Sequence, residues 1–260
     1  MKEVINSIEQ DGSNTADWYR RNYLKGNISK YKAMVMTRDK HVQDARNVVI
    51  GNFNISQEDK FKLLGVTLDK ELIFTDHISS ICSTTSKKIG ILTRLRKLIP
   101  IHAKLQIYKS AILPHFDYCS LVWHFCKAGD KNKLERINER GLRAVYCDYE
   151  SPYEELLKRA KLTTLYNRRL QNIVIFMYKI KNKLLPRTLI DLFKSPTHKY
   201  NLRNIDFSLP SYSTVKYGRN SLRYFGPHLW SKLSTSLRSS PSLQAFKKGI
   251  RVSDLTKLIK

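Results

Sequence analysis

The sequence predicts an α+β protein that is mostly α, with a small partial sheet, a helical bundle and a basic helical C-terminal region. Three observations predict this fold. Short runs rich in β-forming residues stop near residue 68, apolar residues then recur every three or four positions, and positive charge accumulates after residue 155. We therefore expect three regions, residues 1–74, 75–150 and 151–260, with an irregular linker near 195–216.

The first region is predicted to contain two helices and three strands. Residues 2–10 form the first helix, the polar run 11–14 breaks it, and Thr15 or Asp17 caps the second. The strands are expected at Tyr31–Thr37, Asn47–Ile50 and Phe61–Leu68. Such a sheet looks incomplete and would leave an exposed strand edge.

The segment from Phe61 to Asp76 is the most informative part of the chain. Gly65 lies in the middle of the expected strand, where a glycine marks a bulge or a close backbone approach. Asp69 is expected in the turn that follows, and Asp76 as the N-cap of the next helix. A flat backbone beside a helix rich in Lys and Arg indicates contact with nucleic acid.

From Thr75 onward the periodicity is helical. One apolar face extends over about six turns, with Lys87, Arg94 and Lys97 off that face, and Pro100 ends the helix. The residues of this face are Ile78, Ile81, Thr85, Ile89, Leu92, Leu95 and Ile99. Further helices are expected from Ile101 to a kink or stop at Pro114, over Leu134–Val145, from a Ser151 cap to Ala160, over Leu162–Leu184, and after Ser240-Pro241.

The stretch from Arg219 to Trp230 interleaves aromatic side chains with Arg219 and Arg223. Aromatic rings among arginines can stack on bases while the arginines pair with phosphates. The same composition can form a small core with a basic rim. The sequence leaves both interpretations open.

Charge limits the function classes. The net charge is +25, and residues 156–260 contain 22 Lys and Arg but only three acids. A region so unbalanced repels itself unless it meets a polyanion, which favours nucleic acid over a merely solubilising surface. No apolar run reaches the ~18 residues of a membrane helix, and the N-terminus has no apolar signal region. We expect no membrane partner, no oligomer, and a location in the nucleus or cytoplasm.

Four cysteines do not indicate a disulfide framework. His115, Cys119, His124 and Cys126 lie close together in the sequence and could form a zinc site, or the cysteines could be buried structural residues. The spacing lacks a C-x-x-C pair, which favours the structural interpretation, so no metal site is predicted. The adjacent acids Glu58-Asp59 and Glu154-Glu155 are expected to be solvated.

Several segments resemble reverse transcriptases of jockey-like non-LTR retrotransposons, in the same order along the chain. The run LLGVTLD, with the helix start at Thr75–Ile78, resembles the end of the palm, and DWYRRNYLKGNISKYKAMVM resembles the palm helix and strand upstream. LQIYKSAILPHFDYCSLVW and LERINERGLRAV resemble the thumb, while YGRNSLRYFGPHLWSKL and SLQAFKKGI resemble the C-terminal signature.

The resemblance implies a palm end in residues 1–74, a thumb in 75–150 and a C-terminal domain in 151–260. Polymerases of this kind hold metal ions with clustered carboxylates, and the sequence contains no Asp-Asp pair. We therefore expect a fragment of an RNA-directed DNA polymerase that lacks its N-terminal half, with Mg²⁺ needed only by the full-length enzyme. Lys30, or Lys32 if the register shifts, corresponds to a lysine near the nucleotide site.

This fragment is expected to bind RNA, DNA or an RNA–DNA primer-template but not to polymerise by itself. The alternatives are a stand-alone basic RNA- or DNA-binding module and a functionless product of a decayed element. The candidate nucleic-acid contacts are Leu64, Gly65, Lys87, Lys88, Arg94, Lys97, Arg168, Arg169, Arg219, Arg223, Lys247 and Lys248.

Overall fold

The computed structural model describes residues 2–36, 47–193, 206–212, 214 and 218–259. The chain divides into two compact units, Met1–His77 and Ile78–Lys260. Helices dominate, and the strands of the described residues form two small antiparallel sheets, which confirms a mostly α member of the α+β class. The palm, thumb and C-terminal assignments remain predictions.

The first unit begins with one continuous helix, α1 (Lys2–Arg21), so the predicted break at residues 11–14 is wrong. Gly12 lies inside this helix at a point of close packing, because a Cβ atom there would lie only 2.6 Å from the Ile50 side chain. The glycine therefore lets the helix approach a strand closely. Thr15 caps nothing; its hydroxyl donates to the Asp11 carbonyl at 2.8 Å within the helix.

Two of the three predicted strands need correction. The strand expected at Tyr31–Thr37 is not formed over its described residues, which contain only an isolated bridge from Ala33 to Gln57; Thr37 lies outside them. The strand near Asn47–Ile50 is present as β1 (Val48–Ile50), which pairs with β2 (Phe53–Ile55). A small core of Ile5, Val48 and Ile55 joins α1 to this hairpin.

The expected single strand Phe61–Leu68 is a second hairpin, formed by β3 (Lys60–Leu63) and β4 (Val66–Asp69). Its two-residue turn is Leu64-Gly65, with φ values of +45° and +87°. Positive φ at both central residues is the requirement of a type I′ turn, and glycine meets it without strain. Gly65 therefore reverses the chain here and does not lie within a strand.

Asp69 connects this hairpin to the next helix. Its carboxylate accepts hydrogen bonds from the backbone N–H groups of Glu71 (3.2 Å), Ile73 (2.9 Å) and Phe74 (2.7 Å). The turn role expected of Asp69 is confirmed. Asp76 is not an N-cap, because α2 (Thr75–Arg94) already includes it in its first turn, where it pairs with Lys60 at 2.9 Å.

The second unit consists of helices and begins within α2. Pro100 precedes α3 (Ile101–Ile107), a π-helical segment (Tyr108–Ile112) follows, and α4 (Leu113–Asp117) carries Pro114 in its first turn. Pro114 therefore does not stop the helical run. The remaining helices are α5 (Ser120–Trp123), α6 (Ala128–Tyr146), α7 (Tyr153–Ala160), α8 (Leu165–Lys181), α9 (Arg187–Ile190), α10 (Leu222–Ser231), α11 (Thr235–Arg238) and α12 (Leu243–Arg251).

Helix α8 is the centre of this unit and contacts α4, α5, α6, α10 and α12. Leu170, Ile173, Val174 and Met177 are completely buried on it. Gly226 of α10 permits the closest approach, since a Cβ there would lie 2.7 Å from the Met177 sulfur. The apolar face predicted on α2 holds as far as Leu92, with Ile78, Thr85, Ile89 and Leu92 buried. The helix ends at Arg94 and not at Pro100, so Leu95 and Ile99 lie beyond it and are only half-buried.

Two predicted helix caps are wrong by one or two residues. Ser151 does not cap α7; its N–H and hydroxyl donate to the Asp148 carboxylate at 3.0 and 2.7 Å. The last helix is capped by Ser242, whose hydroxyl accepts from the Ala245 N–H at 3.2 Å, and not by Ser240. In both places short-range hydrogen bonds of the serines decide which residue caps the helix.

Candidate nucleic-acid interface

The three acids of residues 156–260 each have a partner within the chain, Asp206 in the fold and Asp191 and Asp254 at the surface. Asp206 accepts from the Trp230 indole at 2.7 Å and pairs with Lys181 and Arg238 at 3.0 and 3.6 Å. Asp254 caps the final 3₁₀ turn through Thr256, and Asp191 lies 3.7 Å from Arg187. Residues 156–260 contain no other acid, so their remaining lysines and arginines have no carboxylate of that region to neutralise them.

Helix α12 carries the best-defined basic surface. Lys247, Lys248 and Arg251 line a shallow groove of about 510 Å³, together with Gln244 and Val252. Phe246 and Ile250 are buried on the opposite side, which fixes the orientation of the helix. We call Lys247, Lys248 and Arg251 the α12 basic surface. The atoms that line the groove are mostly apolar, so the three cationic head groups around it, and not the groove itself, could meet phosphate groups.

The sequence left open whether the aromatic rings of Arg219–Trp230 stack on bases or form a small core, and the structure around α10 favours the core. Trp230 is buried and contacts Phe207 and Phe246 edge-on or tilted, and Phe225 packs against His124 and Phe125. These rings form a core. Arg219 and Arg223 are exposed at its rim, so the arrangement is the small core with a basic edge.

Helix α2 presents two different kinds of lysine and arginine. Lys87 and Arg94 are exposed, as is Lys97 in the following turn. Lys88 instead points inward, where its ammonium donates to the Ala111 carbonyl at 2.9 Å and lies 2.7 Å from the His115 ring. Lys88 therefore connects α2 to α4 and is not available to a phosphate in this conformation.

Arg168 and Arg169 of α8 also face the protein. Arg168 donates two hydrogen bonds to the Asp117 carboxylate, one of them 3.1 Å long. Arg169 is 1% exposed and lies over the Trp123 and Tyr166 rings. Neither guanidinium reaches the surface as a free cation, so the two expected phosphate contacts are replaced by internal ones.

The candidate residues of the first unit have contrasting surroundings. Lys30 is exposed at the end of a 3₁₀ turn (Ile28–Lys30), and Leu64 is 84% exposed at the hairpin tip beside Gly65. Other lysines of this unit pair with acids: Lys32 with Glu58, Lys60 with Asp76 and Lys70 with Asp59. The hydrogen bonds to Asp76 and Asp59 raise the pKa of Lys60 and Lys70.

The His and Cys residues considered for zinc have other surroundings. His124 and Cys126 are buried, and burial raises the pKa of the Cys126 thiol. Within the described residues no group of three or more His, Cys, Asp or Glu side chains could hold a metal ion. Of the helices in that same part of the chain, none is long and apolar enough to span a membrane.

Two exposed basic residues were not among the predicted contacts, Arg251 and Arg96. Arg251 shares the α12 groove with Lys247, four positions earlier on the helix, so helical periodicity alone could have identified it. Arg96 is exposed in the turn that also contains Lys97. Only the structure shows that Lys88, Arg168 and Arg169 turn inward, since sequence spacing does not reveal their partners.

The sequence is similar to RNA-directed DNA polymerases of Drosophila transposable elements. It is 23% identical over 169 residues to the probable RNA-directed DNA polymerase from transposon X-element of Drosophila melanogaster, a match to 64% of this chain and 18% of the relative. It is 22% identical over 151 residues to the corresponding protein from transposon BS, covering 56% of this chain and 17% of the relative. It is 27% identical over 121 residues to the polymerase from mobile element jockey of Drosophila funebris, covering 45% and 13%.

These relationships confirm the resemblance to jockey-like reverse transcriptases. The chain spans less than a fifth of the length of each of these curated relatives. No family model matches the sequence, and no solved structure matches it.

Proposed function

We propose, from this relationship to transposon polymerases, that the chain is a nucleic-acid-binding fragment of an RNA-directed DNA polymerase of a non-LTR retrotransposon. The observation that carries the proposal is the distribution of acids. Residues 78–260 contain 35 Lys and Arg against 11 Asp and Glu, and each of the three acids after residue 155 already has a partner within the chain, Asp206 in the fold and Asp191 and Asp254 at the surface. Surface cations without counterions favour a polyanionic partner.

The contacts proposed are mainly to phosphates. The α12 basic surface forms the centre, and Lys87, Arg94, Lys97, Arg219 and Arg223 add exposed cations. Contacts of this type release condensed counterions and position a duplex or a single strand without reading its sequence. RNA, DNA and an RNA–DNA primer-template are all suitable ligands.

By family resemblance, residues 1–74 would be the palm end and 75–150 the thumb, with residues 151–260 as the C-terminal domain. The hairpin tip Leu64-Gly65 would then touch the primer, a role supported by the 84% exposure of Leu64. Lys30 would lie near the nucleotide site, and it is exposed as that role requires. Both roles belong to the proposal.

Polymerisation is not expected of this chain alone. Two-metal phosphoryl transfer needs clustered carboxylates, and the sequence has no Asp-Asp pair. The polymerase half that would supply them is a proposed partner, and Mg²⁺ a cofactor of the complete enzyme.

Two assays on the purified chain test this function. Binding to a labelled RNA–DNA duplex should weaken linearly on a log–log plot against salt, by about 0.9 in slope for each phosphate contact. Primer extension with Mg²⁺ and deoxynucleotides should give no product. Extension would overturn the inactive assignment, absence of binding at low salt would indicate a decayed product, and sequence preference retained at high salt would indicate a stand-alone recognition module.

A further inference from the structure

Three groups that carry or can carry positive charge gather around the Tyr166 ring in the helical unit. The guanidinium carbon of Arg169 lies 5.7 Å from the ring centroid and the Lys131 nitrogen 5.6 Å. The His124 ring stacks on it at 5.8 Å. We call His124, Lys131 and Arg169 the buried cationic cluster. It is separate from the exposed α12 basic surface.

Arg169 lacks the hydrogen-bond acceptors that a buried guanidinium needs. Its Nε, Nη1 and Nη2 atoms are all buried, and none has an acceptor among the described residues. The Trp123 ring, 5.4 Å from the guanidinium carbon, gives cation–π attraction but no lone pair for the N–H groups. Burying a charge in this way is unfavourable unless an acceptor is supplied.

The carboxylates nearest to the cluster are already occupied. Glu135 accepts hydrogen bonds from the Tyr153 hydroxyl (2.8 Å) and from the N–H groups of Leu165 (3.2 Å) and Tyr166 (2.7 Å). Asp117 accepts both hydrogen bonds of Arg168. Within the described residues, the positive charge of Arg169 and Lys131 therefore has no hydrogen-bonded carboxylate.

His124 adds a second unsatisfied group. It is 2% exposed, and its Nδ1 atom has no hydrogen-bond partner among the described residues. Two buried side chains with open polar positions thus lie beside the same ring as Lys131. Lys131 is only partly buried, so it connects the cluster to solvent.

We propose that the buried cationic cluster binds an oxyanion of the phosphate type, with Arg169 as the principal ligand and Lys131 as the second cation. A tetrahedral phosphate offers several oxygens and fits the planar fork of a guanidinium. The ion would supply the acceptors that Arg169 lacks. Its source is either free phosphate or the terminal phosphate of a nucleic-acid strand, which share this chemistry.

Thermal unfolding in sodium phosphate and in sodium chloride, at matched pH and ionic strength, tests the site. Phosphate should raise the Tm of the natural chain in a concentration-dependent manner, because a ligand that binds only the folded state stabilises it. Arg169→Met should still fold, since replacing a buried ion by an apolar side chain of similar length is often tolerated. This variant should bind phosphate at least about tenfold more weakly, having lost charge-assisted hydrogen bonds.

The matched control is Arg140→Gln, which removes one positive charge from an exposed position on α6 and should keep the full phosphate response. An equal response in Arg169→Met and the natural chain, or no response beyond that in chloride, would overturn the proposal. Should Arg169→Met not fold, the Arg169 Nε–H resonance of the natural chain serves instead. Phosphate should shift it selectively, and an unchanged resonance would contradict the site.

Competition identifies the source of the phosphate. A short single strand with a 5′-phosphate, compared with the same strand carrying a 5′-hydroxyl, should displace bound phosphate if the ligand is a strand end. If neither strand displaces the bound phosphate, free phosphate is the ligand; equal displacement by both strands would contradict recognition of a strand end, because the 5′-hydroxyl strand lacks the terminal phosphate. Since the cluster is separate from the α12 basic surface, its phosphate response should persist in variants of that surface that no longer bind duplexes.

Discussion

The two units of this chain use charge in opposite ways. Residues 1–77 contain 12 Lys and Arg against 11 acids, and Lys32, Lys60 and Lys70 form ion pairs at the surface. Residues 78–260 contain 35 Lys and Arg against 11 acids, and five of those acids bind backbone, tyrosine, tryptophan or arginine groups: Asp117, Glu135, Glu139, Asp148 and Asp206. The first unit neutralises itself, whereas the second leaves its surface cations for a partner.

The comparison shows that net charge alone does not locate a binding surface. Several cations of the helical unit are hydrogen-bonded or buried within the protein, among them Lys88, Arg168 and Arg169. The exposed lysines and arginines of α2, α10 and α12 are fewer than the composition indicates, but few carboxylates lie near them. This residual surface is the part that nucleic acid can use.

The largest expected effect contrasts one acid from each unit. Asp206→Asn should destabilise the helical unit by about 2–3 kcal/mol, because the buried Arg238 loses a carboxylate partner, as does the exposed Lys181. Asp59→Asn, which breaks an exposed pair with Lys70, should change stability little. Chemical denaturation measures both. Equal effects would contradict the claim that the acids of the two units have different roles.

The second prediction concerns pH. Burial, and then the charges of Lys131 and Arg169, lowers the pKa of His124 to about 3. The unfolded state therefore binds the proton more strongly, and stability should fall as pH drops from about 6.5 toward 3, by up to about 1.4 kcal/mol per pH unit. His124→Phe should keep the aromatic stack and flatten this dependence, as measured by urea unfolding in chloride buffers.

The first unit has the same sign of pH dependence through His77, whose pKa burial and Lys62 lower. His77→Phe is thus the matched comparison. It should change the pH dependence less than His124→Phe, because His124 is the more deeply buried of the two. A pH dependence unchanged in His124→Phe would show that His124 is not held neutral by the helical unit.

The smallest effect is expected at the hairpin tip. Leu64 has a φ of +45° and is 84% exposed, so Leu64→Gly should stabilise the first unit by about 0.5–1 kcal/mol. Thermal unfolding measures the gain. If the tip touches a primer, the same variant should bind a primer-template several-fold more weakly, and an unchanged affinity would remove the tip from the proposed contacts.

Helical periodicity predicted the helical unit well. The buried face of α2 follows from residue spacing, and α8 ends before Pro186 as expected. Asp69 was also assigned correctly to its turn. These features depend on local properties that a single sequence carries.

The first unit was predicted less well because its structure depends on non-local contacts. Gly12 lies in a continuous helix where Ile50 of a distant strand packs closely against it, and Leu64-Gly65 forms a turn because β3 and β4 pair with each other. For the site, spacing indicated which residues are basic but not which of them face inward. The parts of the predicted linker at 195–205, 213 and 215–216 lie outside the described residues.

The central claim is that the acid-poor surface of the helical unit binds nucleic acid, and two triple variants test it most directly. One is Lys247→Gln, Lys248→Gln and Arg251→Gln on the α12 basic surface. The other is Lys32→Gln, Lys60→Gln and Lys70→Gln in the first unit, which removes the same charge from paired lysines.

The measurement is the salt dependence of binding to one RNA–DNA duplex. The α12 variant should lose at least about tenfold in affinity, and its log–log salt slope should fall by about 2–3, roughly 0.9 for each phosphate contact. The variant of the first unit should keep the natural slope and an affinity within about twofold, because its lysines already have carboxylate partners. Equal losses in both variants, or no loss in the α12 variant, would contradict the account.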